Sequence, residues 1–354
     1  MPETLNHYTD WEIATVINKT TPFAEHYLQG FGMVYTTDKK TVDFEHIADD
    51  RRISPFVSPY VQGQAARKRG STVTSFQPGY IKDKETVDPD DTFRRTVGEQ
   101  PVGQMTPGQR LEAAMIASGL KIDTRYRRRM EVMASQLIIN GFYIMQGKDF
   151  PAVEVNFDRD AANTYTPTGG AVWSKANIAA GTATPMEDID DMLQRFELPV
   201  SRITFGPTAW KMFKLDPQYK ELINLDFSPQ MAGNSNLPLG PMQQMKEQTM
   251  FVGRLASANN VPMFVDNRTY MDNDGTVKRY TGVDQVVFET SAGAGWRCYA
   301  AIQNILAELK AVPTFWRAWT TTESDLPGHF IQLESAPLLA HTDINSTGVI
   351  NTAG

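Results

Sequence analysis

Apolar and polar positions keep different rhythms along the chain, and the clearest rhythm is helical. Thr106, Pro107 and Gln109 supply an N-cap, a proline at the first helical position and a capping-box partner. Leu111, Ala114 and Met115 open an apolar face that Gly119 breaks or kinks, and Asp123 can cap again. Tyr126, Met130, Met133, Leu137 and Ile144 then recur at three-, four- and seven-residue spacings, and Gly147 can close the run. The spacing predicts a long helix or a kinked pair from about Thr106 to Gln146, with Arg125, Arg127, Arg128 and Arg129 in its middle.

Before this helix the pattern is extended. From Ile53 to Thr96 the runs FVSPYVQG, ARKRGST and TSFQPGYIKDKETVDP are rich in Val, Tyr, Thr and Phe. Pro59 and Pro78 cannot donate to a ladder, so these strands are expected as edges or free ribbons. Arg67, Lys68, Arg69 and Gly70 stand where a hairpin would turn, and the whole reads as a long, exposed two-stranded loop. The first fifty residues are mostly polar with scattered aromatics, like an arm laid over a partner.

After the helix, elements of both kinds alternate irregularly. AVEVNFDR (from Ala152) alternates like a half-buried strand, and MEDIDDMLQRF (from Met186) reads as an acid-initiated amphipathic helix. ITFGPTAWKMF (from Ile203) is a strand turning into a helix at Pro207. VPMFVDNRTYMDNDGTVKRY (from Val261) reads as a hairpin around Asp274-Gly275, VDQVVFET (from Val283) as a buried strand, and HFIQLESAPLLA as a further apolar segment before a polar tail. Without regular βαβ alternation, this is an α+β chain.

Composition narrows the function. The chain has 354 residues, 34 Lys+Arg against 41 Asp+Glu, and a net charge of −7, which disfavours a globally basic nucleic-acid binder. Mean hydropathy of −0.37 and the lack of a long apolar run give no transmembrane helix, and the polar start gives no signal peptide. The charge is uneven: residues 1–50 carry −6, residues 51–130 carry +7, and residues 131–354 carry −8. A basic middle between acidic flanks suits a chain that binds copies of itself.

Candidate chemistry is sparse. His7, His26, His46, His329 and His341 are scattered and none has H-E-x-x-H spacing, so structural or surface roles are expected. Cys298, the single cysteine, lies in GWRCYAAI, the setting of a buried thiol. There is no G-x-S-x-G elbow and no Walker loop. The Asp272-Asn273-Asp274-Gly275 run has its glycine in the wrong register for a calcium loop. Neither an enzyme nor a metal or cofactor site is expected.

The motifs are nonetheless distinctive as a set. VSPYVQG, RKRGST, FQPGYIKDKETVDP, the closing FRR, PAVEVNF (from Pro151), GGAVWSK (from Gly169), EDIDDM, FGPTAW (from Phe205) and IQLESAPLL (from Ile331) occur in order over most of the chain. Together they resemble the major capsid proteins of lambda-type tailed bacteriophages.

That resemblance implies the Hong Kong 97-type capsid fold. It would give an N-terminal arm (1–52), an extended β-hairpin loop (53–100) and a peripheral domain with a long spine helix (101–169). An axial domain (170–310) and a return to the peripheral domain beside the AVEVNF strand (311–354) would follow.

It implies a shell subunit forming hexamers and pentamers around double-stranded DNA without sequence-specific binding. A decoration protein at threefold positions, a separate scaffold protein and a portal would be partners, the host bacterial cytoplasm the place of assembly and the virion its destination. A cellular nanocompartment shell of the same fold is the alternative. Inter-subunit contact is expected between Arg67, Lys68 and Arg69 and the carboxylates Glu187, Asp188, Asp190 and Asp191. Some relatives of the fold join a loop Lys to a neighbour's Asn. Lys68, Lys82 and Lys84 with Asn345 and Asn351 offer that chemistry here, and no crosslink is expected.

Overall fold

The computed structural model describes residues 24–46, 56, 60, 72–87, 106–147, 150–226, 248–255, 260–290, 295–321 and 328–354. A six-stranded sheet organises the chain, in the order Thr164–Tyr165, Thr347–Asn351, Gln285–Thr290, Val200–Phe205, Val261–Asp266, Thr249–Leu255. Side chains alternate across a strand, and here the two faces feed two cores. Val287 and Val349 join one core, while Val286, Phe288 and Ile350, beside them in sequence, join the other. Burial on both faces is why Val286, Val287 and Phe288 are apolar in succession.

The first core is built on one uninterrupted helix, Pro107–Asn140, rather than on a helix reaching Gln146. Its start is the expected capping box, with the Thr106 hydroxyl accepting from Gln109 N–H and the Gln109 side chain accepting from Thr106 N–H. Gly119 lies buried within it, and Asp123 pairs with Arg127 one turn on instead of capping. The end comes at Gly141, whose φ of 81° is left-handed backbone that closes the last turn onto the Leu137 carbonyl. Arg159 donates to the carbonyls of Ile138 (2.8 Å) and Ile139 (2.6 Å), satisfying two acceptors that a helix terminus leaves open. Ile144 therefore stands in a strand, Phe142–Gly147, paired with Phe150–Asn156.

Of the ribbon expected between Ile53 and Thr96, only 56, 60 and 72–87 lie among the described residues, and two strands of it are paired there. Thr72–Phe76 pairs antiparallel with Val42–His46, and Ile81–Val87 is the outer strand of a three-stranded sheet beside Gly328–Ser335 and Phe315–Thr321. Of the expected hairpin from Val261, only Thr269–Met271 and Val277–Arg279 form one, around Gly275. Val261–Asp266 instead runs parallel to Val200–Phe205. The last apolar segment splits between sheets. Gly328–Ser335 lies in the three-stranded sheet just described, and Pro337–His341 pairs with Gly295–Tyr299. Beside it, the Tyr143 hydroxyl, on the strand paired with Phe150–Asn156, donates to the Leu339 carbonyl (2.9 Å) and accepts from the Leu339 N–H (3.1 Å).

The second core packs Pro185–Leu193, Pro207–Phe213 and Pro217–Asp226 on the other sheet face, with Trp210 stacked on Phe213 and meeting Phe205 edge-on. The strand-to-helix turn at Pro207 is as expected. Gly206 is required there, because a Cβ would lie 2.0 Å from the Gly282 carbonyl.

Candidate functional site: a buried clasp and two exposed strand edges

Residues 24–31 thread between the long helix and the six-stranded sheet, and their backbone is held by side chains. Glu131, fully buried on the helix, accepts the N–H groups of His26 (3.0 Å), Tyr27 (2.9 Å) and Leu28 (2.9 Å). Three arginines from three different strands or strand ends take alternate carbonyls. Arg268 donates to Ala24 O (3.0 Å), Arg202 to His26 O (2.8 Å) and Arg297 to Leu28 O (2.9 Å). Tyr27, Leu28 and Phe31 fill the apolar space beneath.

The clasp is also an ion network. Arg268 forks onto Asp266 with two bonds of 3.0 Å, reaches Glu131 at 2.8 Å and lies 4.7 Å from the Tyr280 ring. Arg202 forks onto Glu289, and Arg127 bridges Glu25 and Asp123. Tyr27 Oη meets Thr281 Oγ1 at 2.5 Å, and Thr281 donates to Asp266. Burial, reinforced by Arg202 and Arg268, holds His26 well below the ordinary imidazole range. It is therefore neutral, against the Thr204 hydroxyl at 2.9 Å. Burial pushes the Glu289 carboxyl up, against the opposing pull of Arg202. Such charges are tolerated in an interior only when each is paired and hydrogen-bonded. Sequence reading missed this site, since its members have no motif spacing. The available signal was Glu131 itself, the one charged residue in the mostly apolar stretch from Met130 to Ile139.

Beyond the clasp the chain emerges on an edge. Met33–Thr36 runs parallel to Gly295–Tyr299 as the outer strand of its sheet, with Met33, Val34 and Tyr35 about half exposed. This edge and the Val42–His46/Thr72–Phe76 ribbon border a groove of about 630 Å³ lined by Tyr35, Phe44, Phe76, Phe157 and Trp296.

Of the residues singled out from sequence, Arg67, Lys68 and Arg69 lie outside the described residues. Glu187, Asp188, Asp190 and Asp191 share the outward side of Pro185–Leu193, whose Met186, Ile189 and Met192 face the core. Asp188 is partly engaged, accepting from Trp173 Nε1 at 2.6 Å. Burial, then Asp191 and Glu187, raises the Asp190 carboxyl. Cys298 is buried, and burial pushes its thiol up to about 12, consistent with the inert thiol expected. Lys82 pairs with Glu334 (3.3 Å), Asn345 accepts from Asp160 N–H (2.8 Å), and Asn351 bonds Gln285 and Thr166.

A profile of the phage major capsid protein E family matches residues 12–348. The chain belongs to that family. The major capsid protein of Escherichia phage lambda is 28% identical over 312 residues, covering 87% of each chain. That of Escherichia phage N15 is 26% identical over 340 residues, covering 95% of this chain and 96% of its own. Among solved structures, the capsid protein of an E. coli CFT073 prophage superposes with a TM-score of 0.74 at 19% identity, covering 98% of this chain and all of that one. The capsid protein of Cyanophage P-SCSP1u gives 0.50 at 10% identity, covering 94% and 89%.

The Hong Kong 97-type α+β fold expected from the motifs is therefore the fold of this major capsid protein, and a tailed-phage shell is its function. Its place is the virion, as a structural subunit among copies of itself. The clasp and edges belong to a structural shell subunit.

Proposed function

We propose that the subunit closes hexamers and pentamers by overlapping its neighbours with chain from an arm over residues 1–52 and a loop over 53–100, of which 24–46 and 72–87 pack on the subunit itself. The peripheral part would comprise 101–169 and 311–354, and the axial part 170–310. The observation that carries this reading is the clasp: Glu131 and three arginines fix the backbone of residues 24–28, so chain on either side can bear load without pulling free. Contacts made by projecting elements are heterologous, and rings close when the rotation permits.

A cementing protein would clamp local threefold junctions by strand addition at the Tyr35–Asp50 region and the Ile53–Arg69 ribbon, since exposed strand edges invite pairing. Scaffold and portal are separate chains, and assembly takes place in the bacterial cytoplasm. The net charge of −7 repels packaged phosphates and keeps the wall from adhering to the genome. No crosslink forms between subunits, so mature particles give one band near 39.6 kDa on denaturing gels. Electron microscopy of the chain co-expressed with its scaffold tests the central reading. Icosahedral shells of a size to hold a phage genome support it, and a dispersed small oligomer overturns it.

A further inference from the structure

The three-stranded sheet of Phe315–Thr321, Gly328–Ser335 and Ile81–Val87 has two unlike faces. One face sends Trp316, Ile331 and Leu333 into the first core and sets Asp83 and Glu85 against Arg125 of the long helix. The other carries Trp319 stacked on Phe330 at 5.4 Å, the two being direct cross-strand partners. Lys84 Nζ sits 4.3 Å from the Phe330 ring centre, and Arg317 lies 4.6 Å from that of Trp319. Lys82 on the same face is neutralised by Glu334. Lys84 and Arg317 have no carboxylate partner among the described residues. Phe315–Thr321 is one of the two outer strands of this sheet.

We propose that this cationic-aromatic face is an inter-subunit contact that receives a carboxylate-bearing segment of a second copy of the chain. Complementary charge is abundant in every copy, since residues 1–50 carry −6 and residues 131–354 carry −8. Ring-held cations keep a fixed position, and Trp and Arg are the residue types that anchor interfaces. Packaged DNA is the poorer fit, because two unpaired cations on a chain of net −7 give little phosphate affinity. The inference rests on the shell-forming role of the family.

The test combines Lys84→Glu with Arg317→Glu. Circular dichroism of the double variant should match wild type while shell yield falls at least about tenfold, the ratio for one lost contact of 1.4 kcal/mol. The pair Lys84→Arg and Arg317→Lys should assemble normally. Oxidative labelling of wild type covers the case in which the reversed variant fails to fold. Trp319 should react in free subunits and be protected in shells assembled without DNA. Normal shells from the reversed variant, or Trp319 equally reactive in empty shells and free subunits, would overturn the contact while leaving the shell role intact. Protection confined to DNA-filled particles would overturn it in favour of the genome. Wild-type chain that forms no shell overturns the shell role itself, and the contact with it.

Discussion

At the scale of single residues, Glu131 decides more than any other side chain described. Its two oxygens hold three backbone N–H groups and one guanidinium. Removing it leaves Arg268 buried with one carboxylate fewer and three donors without an acceptor. Breaking one partner out of such a buried set costs about 3–5 kcal/mol. Glu131→Ala should therefore lower the urea midpoint of the isolated subunit by that equivalent, whereas Glu187→Ala on the exposed side of its helix should stay within about 0.5 kcal/mol. His26 adds a pH dependence. Its folded value is depressed, so it stays neutral in the fold while the unfolded chain takes up a proton below about 6.5. The unfolded state then binds more protons, and stability falls as pH drops through that value, by at most about 1.4 kcal/mol per pH unit. His341, also depressed by burial, acts in the same direction. Comparing wild type with His26→Gln between pH 7.5 and 5.5 isolates the His26 share. The variant should show the shallower slope, and identical slopes would remove His26 from the account.

At the scale of elements, starts were legible and ends were not. The helix begins where Thr106, Pro107 and Gln109 say it must, because a capping box is local chemistry. Its end was misplaced because Ile144 keeps a seven-residue spacing from Leu137 and Gly147 offers a plausible stop. The alternation of Phe142–Gly147 is too short to contradict a helix without its partner strand. What fixes the end is tertiary, namely Arg159 folding back over Gly141. The clasp was hidden for the same reason: Arg202, Glu131 and Arg268 meet only once three elements have packed. The helix end makes a further prediction. An alanine at Gly141 must hold left-handed backbone, at about 1–2 kcal/mol, and its Cβ would stand 2.7 Å from Arg159 Cβ. Thermal unfolding of Gly141→Ala should show a clear drop in midpoint, while Gly108→Ala in the exposed first turn should show none. Equal midpoints for wild type and Gly141→Ala would mean that the turn is not held as described.

At the scale of the whole molecule, two cores share one sheet, and the family's motifs fall on elements that serve both. PAVEVNF and IQLESAPLL lie around the first core, EDIDDM and FGPTAW around the second. The collinear motifs made the fold readable, but contacts between copies have no such signature in a single chain and must be argued from charge. Residues 51–130 hold the net positive stretch, +7, of a chain of net −7, and Arg67, Lys68 and Arg69 form one of its two dense basic runs, the other being Arg125 to Arg129. The expected counterpart, the helix Pro185–Leu193, presents Glu187, Asp190 and Asp191 outward, with no ion pair to a basic side chain among the described residues. Asp190 is already raised by burial and by its acidic neighbours, so an arriving cation would relieve repulsion as well as form a pair. Exposed pairs contribute only about 0–1 kcal/mol each, yet the contact recurs at every subunit of a shell. Reversing Arg67, Lys68 and Arg69 to Glu should leave a soluble subunit with a native circular dichroism spectrum whose sedimentation shows no shells or aberrant ones. Reversing Glu187, Asp190 and Asp191 to Lys in the same chain should restore assembly by exchanging the signs. Normal shells from the first triple variant at physiological salt would show that these cations take no part in the contact.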